Sequence, residues 1–193
     1  MTLSTRAWRR SREWSSRSIR ICLAIVVCLT IGANAEAPKV NENYSIKAEF
    51  LRKFLPYVQF PPKANAQSET HYVIGVLGNE ASNPLVAELK LLKPIPGRSI
   101  EVREVDDLSK LEVFHLIFVS AAEESRLKDI LNQTKNSAVL TVGETPGFLR
   151  EGGIMNIFPV RNSYTFEINR DAAEKAGLKI DPKVISMAKK RKS

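Results

Sequence analysis

Five small or polar residues that end or follow apolar, strand-like runs are the residues of this sequence best placed to hold a ligand. They are Gly78, Asn79, Ser120, Gly143 and Thr145. Ligands of parallel sheets bind beyond the carboxyl ends of the strands, near a switch in strand order, and free backbone N–H groups there can hold an anion. The five residues therefore predict a small polar crevice. The alternative, that the glycines only turn the chain, is favoured because no glycine-rich nucleotide fingerprint accompanies them.

No combination of side chains in the sequence predicts catalysis. His71 falls in a predicted loop, and His115 falls inside an apolar strand, where a hydrogen-bonded core histidine is commoner than a general base. No serine stands in a nucleophile elbow. The adjacent carboxylates at 106–107 and 123–124 are predicted to start a turn and a helix, where acidic residues favour the helix dipole. The sequence therefore predicts a protein that is not an enzyme and that uses no cofactor.

The first 35 residues are predicted to form a cleavable signal peptide. Six arginines precede an apolar stretch at 21–31, and Ala-Asn-Ala at 33–35 supplies the small-x-small cleavage pattern. The stretch is too short to span a bilayer comfortably, which takes about 20 residues; an uncleaved anchor is the alternative. Export would place the chain in the periplasm, and cleavage would remove Cys22 and Cys28. The mature chain would then have no disulfide and no cysteine to bind a metal.

The basic balance of the chain comes from its two ends. The whole sequence has 29 basic and 21 acidic residues, a net charge of +8. Six arginines and Glu13 lie in the predicted leader, and four cations follow one another at 189–192, which leaves 19 basic and 20 acidic residues between. Nucleic-acid binding is not predicted, since it requires a basic stripe on the folded body. The basic tail is interpreted as a solvated end, and attraction to anionic membrane lipid is the alternative.

Alternating strand-like and helix-like segments must position these residues, and they predict an α/β fold. We expect a mostly parallel sheet flanked by helices on both faces, with a C-terminal antiparallel hairpin. The predicted strands lie at 72–78, 99–105, 113–119, 138–142, 154–160 and 164–169. The first predicted helix runs from Tyr44 to Pro56, where we expect the proline to kink or end it. The second begins at Asn83 and ends before Pro94, and three more cover 121–134, 169–176 and 182–188. A flexible arm at 36–43, a single domain at 44–188 and a basic tail at 189–193 complete the predicted organisation.

The hairpin combines a packed face with a polar one. Its second arm, at 164–169, alternates apolar with polar side chains, so one face is predicted to be buried and the other to be in water. The connection at 161–163 is short enough for a hairpin, although no Asn-Gly pair fixes the turn type. A helix follows at once, with Gly177 as its predicted left-handed cap.

The ordered series of segments resembles the YfiR family of periplasmic regulators over nearly all of the mature chain. The matching segments are AEFLRKF at 48–54 with Phe60-Pro61, VIGVLG at 73–78, GR at 97–98, LTVG at 140–143, GF at 147–148, GGIMN at 152–156, and FEIN at 166–169 with Ala172-Ala173. The resemblance implies an α/β sandwich that forms a homodimer and works without catalysis. It also implies binding to the periplasmic sensor domain of a membrane-anchored diguanylate cyclase, which represses cyclic di-GMP synthesis and with it surface attachment and biofilm formation.

Two further implications follow from the resemblance. Similar domains also occur fused ahead of sensor histidine kinases, which makes such a kinase the alternative partner. Characterised members carry disulfides that tune repression to redox state, whereas this chain has no cysteine after the predicted cleavage.

The hairpin and the helix after it are expected to dock on the sensor domain. We assign the contacts to Glu167 and Asn169, on the polar face of the strand, and to Ala173 nearby. Simple exposure to solvent is the alternative, since polar positions on a half-buried strand need no partner. The competing class of function is a periplasmic small-molecule receptor, possibly one that feeds a histidine kinase, whose primary site is the crevice at Asn79 and Gly143.

Overall fold

The computed structural model of the chain describes residues 42–61, 70–78, 84–105, 107–161 and 163–189. The predicted signal peptide, most of the predicted arm and Asn79 lie outside these ranges. No helix within the described ranges is long and apolar enough to cross a membrane.

The described residues form helices and strands in alternation. The helices are α1 Glu42–Phe54, α2 Pro84–Lys90, α3 Leu127–Thr134, α4 Arg170–Lys175 and α5 Pro182–Met187. The strands are β1 Val58–Gln59, β2 His71–Leu77, β3 Ser99–Glu104, β4 Leu116–Val119, β5 Leu140–Gly143, β6 Met155–Val160, β7 Ser163–Ile168 and β8 Lys179–Ile180. Short 3-10 helices occupy Leu55–Tyr57, Leu108–Val113 and Ala121–Arg126.

Six of the strands form one sheet in the order β3-β2-β4-β5-β6-β7. Neighbouring strands are parallel from β3 to β6, and β6 and β7 form an antiparallel hairpin. The prediction of a mostly parallel sheet with a C-terminal hairpin is confirmed. The chain leaves β2 on one side to form β3 and returns on the other side to form β4. The strand order therefore switches between β2 and β4, where a ligand crevice is expected in such a sheet.

Both faces of the central strands are buried. In β4, Leu116 and Phe118 join a core with α1 and α2, whereas Ile117 and Val119 join a second core with α3. Successive side chains of a strand point to opposite faces, so a strand that is covered twice must be apolar throughout. This pattern in the sequence predicted helices on both faces, and the prediction is confirmed.

The end of α1 is also confirmed. The α-helix stops at Phe54, and a 3-10 turn that contains Pro56 follows it, because proline has no N–H to donate to the preceding turn. Ala48 and Leu51 of α1 are fully buried, whereas Phe50 is half-buried.

Two elements begin at least three residues later than the sequence predicted. The segment Leu108–Val113 is a 3-10 helix, so β4 starts at Leu116 and His115 precedes it instead of lying inside it. The helix predicted from residue 121 is a 3-10 helix over Ala121–Arg126 and becomes α-helical only at Leu127. In both places the apolar residues fit a 3-10 helix as well as they fit the predicted strand or α-helix, so the sequence pattern could not distinguish the two conformations.

A two-stranded sheet of β1 and β8 was not predicted, because two residues are too few to show an alternating pattern. Val58 pairs with Ile180, and the backbone N–H of Asp181 donates to the carbonyl of Tyr57 at 2.9 Å.

The predicted start of the last helix is confirmed, since the Asp181 side chain accepts the N–H of Lys183 at 2.7 Å. Gly177, the predicted cap of α4, has a φ of 73°, a left-handed conformation that favours glycine.

Phe148 fixes the long connection between β5 and β6 against the sheet. Its side chain is fully buried, and its ring lies between Gly143 and Gly153 so closely that a Cβ at either glycine would overlap it. The two glycines are therefore required for packing, because any larger residue would displace the ring.

We predict that Gly143→Ala lowers the free energy of unfolding by about 1–3 kcal/mol, because the added methyl group overpacks this contact. Urea denaturation of the variant and of the wild type measures the difference. In a Phe148→Leu background the same substitution should be less destabilising, since leucine has no ring for the Cβ to meet. An equal loss in both backgrounds would contradict the assignment.

Candidate functional site

Gly78 and Ser120 lie side by side at the switch in strand order. Gly78 follows β2 and has a φ of 133°, and a Cβ on it would overlap the Ser120 hydroxyl. Ser120 follows β4, and its Oγ accepts the backbone N–H of Ala122 at 3.3 Å. Ser120 thus caps the 3-10 helix that begins next to it.

Gly143 and Thr145 are directed into the protein interior. Gly143 lies under the ring of Phe148, and Thr145 is 2% exposed, with its carbonyl oxygen accepting the N–H of Phe148 at 3.2 Å. Among the described residues, the Thr145 hydroxyl has no hydrogen-bond partner. The structure therefore does not bring these two residues into one open crevice with Gly78 and Ser120. A role for them in ligand binding stays a prediction, as it does for Asn79.

A polar cavity of about 350 Å³ opens beside Gly78, at the carboxyl ends of β2 and β3. Its charged lining consists of Glu104, Asp107, Glu123 and Arg126, and Arg126 Nη1 lies 3.1 Å from Glu123 Oε2. Ser120, Gly143 and Thr145 are absent from the lining. Within the described part of the chain, no group of three histidine, cysteine, aspartate or glutamate side chains could hold a metal ion.

The most unusual group at this edge of the sheet is a buried ion pair that the sequence analysis missed. Lys47 of α1 places its Nζ 2.6 Å from Glu144 Oε2, just after β5, and the other carboxylate oxygen accepts the N–H of Ala121 at 3.3 Å. The side chains are 8% and 22% exposed, respectively. Lysine is almost never this buried without a partner, and its partner is 97 residues away, so no local pattern could have shown the pair.

Three aromatic rings enclose the ammonium group of this pair. Its Nζ lies 5.0 Å from the ring centre of Tyr44, 5.3 Å from that of Phe118 and 6.0 Å from that of Tyr164. Cations are attracted to aromatic faces at such distances. Burial, and then the charge of Glu144, raises the pKa of Tyr164, so its hydroxyl stays neutral. The group joins α1, β4, β5 and β7 at one point.

His115 is a core residue and not a general base. It is 3% exposed, and its Nδ1 accepts the backbone N–H of Val73 at 3.0 Å. The edges of two rings, Phe60 and Tyr72, meet it at 5.1 and 5.3 Å between centroids. Burial, with smaller contributions from nearby cations, lowers the pKa of His115 to about 4. The neutral imidazole is therefore fixed as a hydrogen-bond acceptor at neutral pH.

The carboxy-terminal hairpin projects past its neighbour in the sheet. β6 pairs with β5 only at Met155 and Asn156, and beyond Asn156 it pairs with β7 alone. The outer residues of the hairpin are accordingly exposed, with Val160 at 47%. This arm is one of the two exposed edges of the described sheet, the other being β3.

The three predicted contact residues of the hairpin and α4 have different environments. Glu167 is half-buried and pairs with Asn156 across the strands. Asn169 caps α4, since its Oδ1 accepts the N–H of Ala172 at 3.1 Å and its Nδ2 donates to the carbonyl of Leu149 at 3.0 Å. Ala173 is 3% exposed. A partner-binding role stays a prediction for all three. Of the two polar side chains, that of Glu167 makes no hydrogen bond within the described part of the chain.

Removing the carboxylate of the buried ion pair should destabilise the fold more than removing its ammonium. Glu144→Gln leaves a buried ammonium without its counter-ion, and we expect it to lower the free energy of unfolding by about 3 kcal/mol. Lys47→Met leaves a carboxylate that reaches water and places an apolar chain among the rings, so its effect should be smaller. Denaturation of both variants and of the double variant measures this, and a larger loss in Lys47→Met would contradict the assignment.

Acid should destabilise the fold through His115. The unfolded chain binds a proton near pH 6.5, whereas the folded chain does so only near pH 4. The contribution is therefore complete above pH 6.5 and is lost as the pH falls from 6.5 to 4, by up to roughly 3 kcal/mol. Urea denaturation across this range measures the slope. His115→Asn keeps an acceptor for Val73 and cannot titrate, so its slope should be shallower than that of the wild type.

Comparisons with known proteins bear on the identity of the chain. Proteins of curated function give no match. A conserved domain protein from Vibrio cholerae O1 biovar El Tor is similar in structure, with a TM-score of 0.50, 15% identity and coverage of 75% of this chain and 58% of that one. An ABC domain from Streptococcus pneumoniae, solved in complex with L-Trp, has a TM-score of 0.45, 11% identity and coverage of 71% and 60%. This chain thus spans less than two thirds of either protein, and the first likeness concerns the fold alone.

The family comparison is more specific. The model of the YfiR/HmsC-like family matches residues 44–189, a range that includes every strand and helix described above except the first two residues of α1. The chain belongs to the YfiR/HmsC-like family, a family of periplasmic regulatory proteins of the cyclic di-GMP system.

Proposed function

We propose that this protein is exported by cleavage after residue 35 and acts in the periplasm as a non-catalytic repressor. Its partner is the periplasmic sensor domain of an inner-membrane diguanylate cyclase, which it holds in the inactive state so that cyclic di-GMP synthesis falls. Family membership over residues 44–189 supports the regulatory role. A homodimer is part of the proposal, as the family resemblance implies.

The projecting hairpin is the observation that carries the choice of docking surface. Its outer part is paired on one side only, and it presents apolar and charged side chains together, with Val160 at 47% exposure next to the exposed Arg161. An apolar centre with a polar rim is the usual composition of a protein interface. A partner that covers the hairpin would bury this surface without unfolding any part of the domain.

Glu167, which pairs with Asn156 at the inner end of the hairpin, is the predicted contact residue that best separates binding from folding. Substitution of Asn169 would remove the cap of α4, and a larger residue in place of the buried Ala173 would disturb the core. A change in binding at those two positions could therefore not be separated from a change in the stability of the fold. Glu167 is half-buried at a strand position where a change of charge leaves the backbone pairing intact.

Repression requires that the protein bind the two states of its partner with different affinity. A binder with equal affinity for the active and inactive sensor domain would shift nothing, however tightly it bound. A tenfold fall in the active fraction requires binding to the inactive state that is at least about tenfold tighter. The stimulus that relieves repression cannot be a disulfide within the mature chain, since residues 36–193 contain no cysteine.

We predict that Glu167→Lys weakens binding to the sensor domain at least tenfold, because a reversed charge at an interface costs more than 1.4 kcal/mol. Titration calorimetry with the isolated sensor domain measures the affinity, and the melting temperature should stay near that of the wild type. Glu124→Lys makes the same change of charge at an exposed position beyond β4 and is the matched control. Unchanged affinity in Glu167→Lys would remove this residue from the interface.

A small-molecule receptor is the second candidate function, because a polar cavity opens at the carboxyl ends of β2 and β3, next to the switch in strand order. Its lining includes Gly78 with Glu104, Asp107 and Glu123, so it would favour a cationic or hydroxyl-rich ligand. Native mass spectrometry of the protein purified from the periplasm tests this function. A co-purified small molecule that is lost from a Glu123→Gln variant would support the receptor, and binding of the sensor domain by ligand-free protein would favour the repressor.

A further inference from the structure

The outer arm of the β6–β7 hairpin, residues 157–160 and 163–166, has little support from the rest of the sheet. β6 pairs with β5 only at Met155 and Asn156, and Pro159 has no N–H with which to extend that pairing. A two-stranded hairpin is marginally stable at best in water when nothing packs against it. The direction in which the outer arm projects is therefore set by its contacts with other elements.

One face of the outer arm packs on α1 through aromatic rings. The ring centroid of Phe50 lies 6.1 Å from that of Tyr164 and 5.8 Å from that of Phe166. The ring of Phe54 meets that of Phe166 edge-on, with 4.7 Å between centroids. These contacts hold the arm against α1, but apolar packing tolerates small shifts because burial has little directionality.

The opposite face of the outer arm has weaker support. Phe158 points to that face, because successive side chains of a strand alternate, and Lys189 Nζ lies 5.0 Å from the centre of its ring. Lys189 is exposed, and a cation–π contact at an exposed site is weak. Its backbone N–H donates to the carbonyl of Phe166 at 2.8 Å. Among the described elements, α1 thus supplies the most extensive contacts that fix the arm.

The ion pair of Lys47 and Glu144 adds a contact that does have a direction. Lys47 Nζ lies 2.6 Å from Glu144 Oε2, just after β5, and 6.0 Å from the ring centre of Tyr164 in the arm. One buried ammonium group thus connects α1, the end of β5 and the arm. A buried charge that loses its partner is strongly unfavourable, and a desolvated cation is attracted to an aromatic face more strongly than an exposed one. The pair therefore resists shifts of both α1 and Tyr164.

We infer that Lys47 and Tyr164 are positioning residues that hold the hairpin in the orientation in which it docks on its partner. The inference rests on the proposed docking of the hairpin on a sensor domain. When the arm takes up that orientation for only a fraction of the time, its apparent Kd rises by the reciprocal of that fraction. The side chain of Lys47 is 8% exposed, so its effect on binding passes through the arm and not through contact with the partner.

Amide hydrogen exchange of the processed chain, purified from the periplasm, tests the positioning without any partner. In Lys47→Met the amides of the outer arm should exchange about tenfold faster relative to those of β2 and β4, because the arm is loosened locally. Ile117→Val is the matched control, since it removes one methylene from the core with α3, on the other face of the sheet. Its exchange ratio should equal that of the wild type. An unchanged ratio in Lys47→Met would overturn the inference.

Titration against the isolated sensor domain tests the consequence for binding. Lys47→Met should weaken binding about tenfold, as for an arm that is correctly placed about one tenth of the time, and Ile117→Val should leave it unchanged. Tyr164→Leu removes the ring that faces the ammonium and should weaken binding to a similar extent. The double variant should bind no more weakly than the weaker single variant, because both changes remove the same contact.

Additive losses in the double variant, or equal losses in Lys47→Met and Ile117→Val, would contradict the assignment. A wild-type chain that fails to bind the sensor domain would instead overturn the proposed function. The exchange ratio distinguishes the two failures, because it reports the role of Lys47 in the free protein.

Discussion

Burial of the central strands on both faces is the constraint on which the rest of the structure depends. β2, β4 and β5 lie between two helical layers, and their side chains are almost all apolar. A domain of about 150 residues buries close to 70% of the surface of its unfolded chain, which suffices without a disulfide. The short helices depend on this sheet in turn. α2, α4 and α5 have seven, six and six residues, too few to persist in isolation.

Because of this burial, the surfaces of the sheet that remain available for contacts lie at its edges. A sheet that is covered on both faces has little exposed area at its centre, so its projecting hairpin and the ends of its strands remain for contacts. An apolar groove between α1 and α5 lies at the hairpin end, where Phe166 of β7 contributes to its floor.

The ion pair of Lys47 and Glu144 shows how one polar contact can determine the placement of a helix. Apolar packing between α1 and the sheet would tolerate small shifts, because dispersion and burial have little directionality. An ammonium in an aromatic box, by contrast, must stay next to its carboxylate partner. Any placement of α1 that separated the two groups would leave a charge buried without a partner, which is strongly unfavourable.

The sequence by itself determined the order of the elements, the parallel sheet, the two-sided burial, the cap at Asp181 and the turn at Gly177, since each follows from periodicity or from the chemistry of one or two neighbouring residues. It could not separate 3-10 from α-helix at residues 121–126, nor find the pairing of β1 with β8. Only the tertiary structure paired Lys47 with Glu144 and gathered an apolar groove between α1 and α5. Those features join residues far apart in the chain, and which distant side chains meet is decided by the packing of whole elements and not by any local pattern.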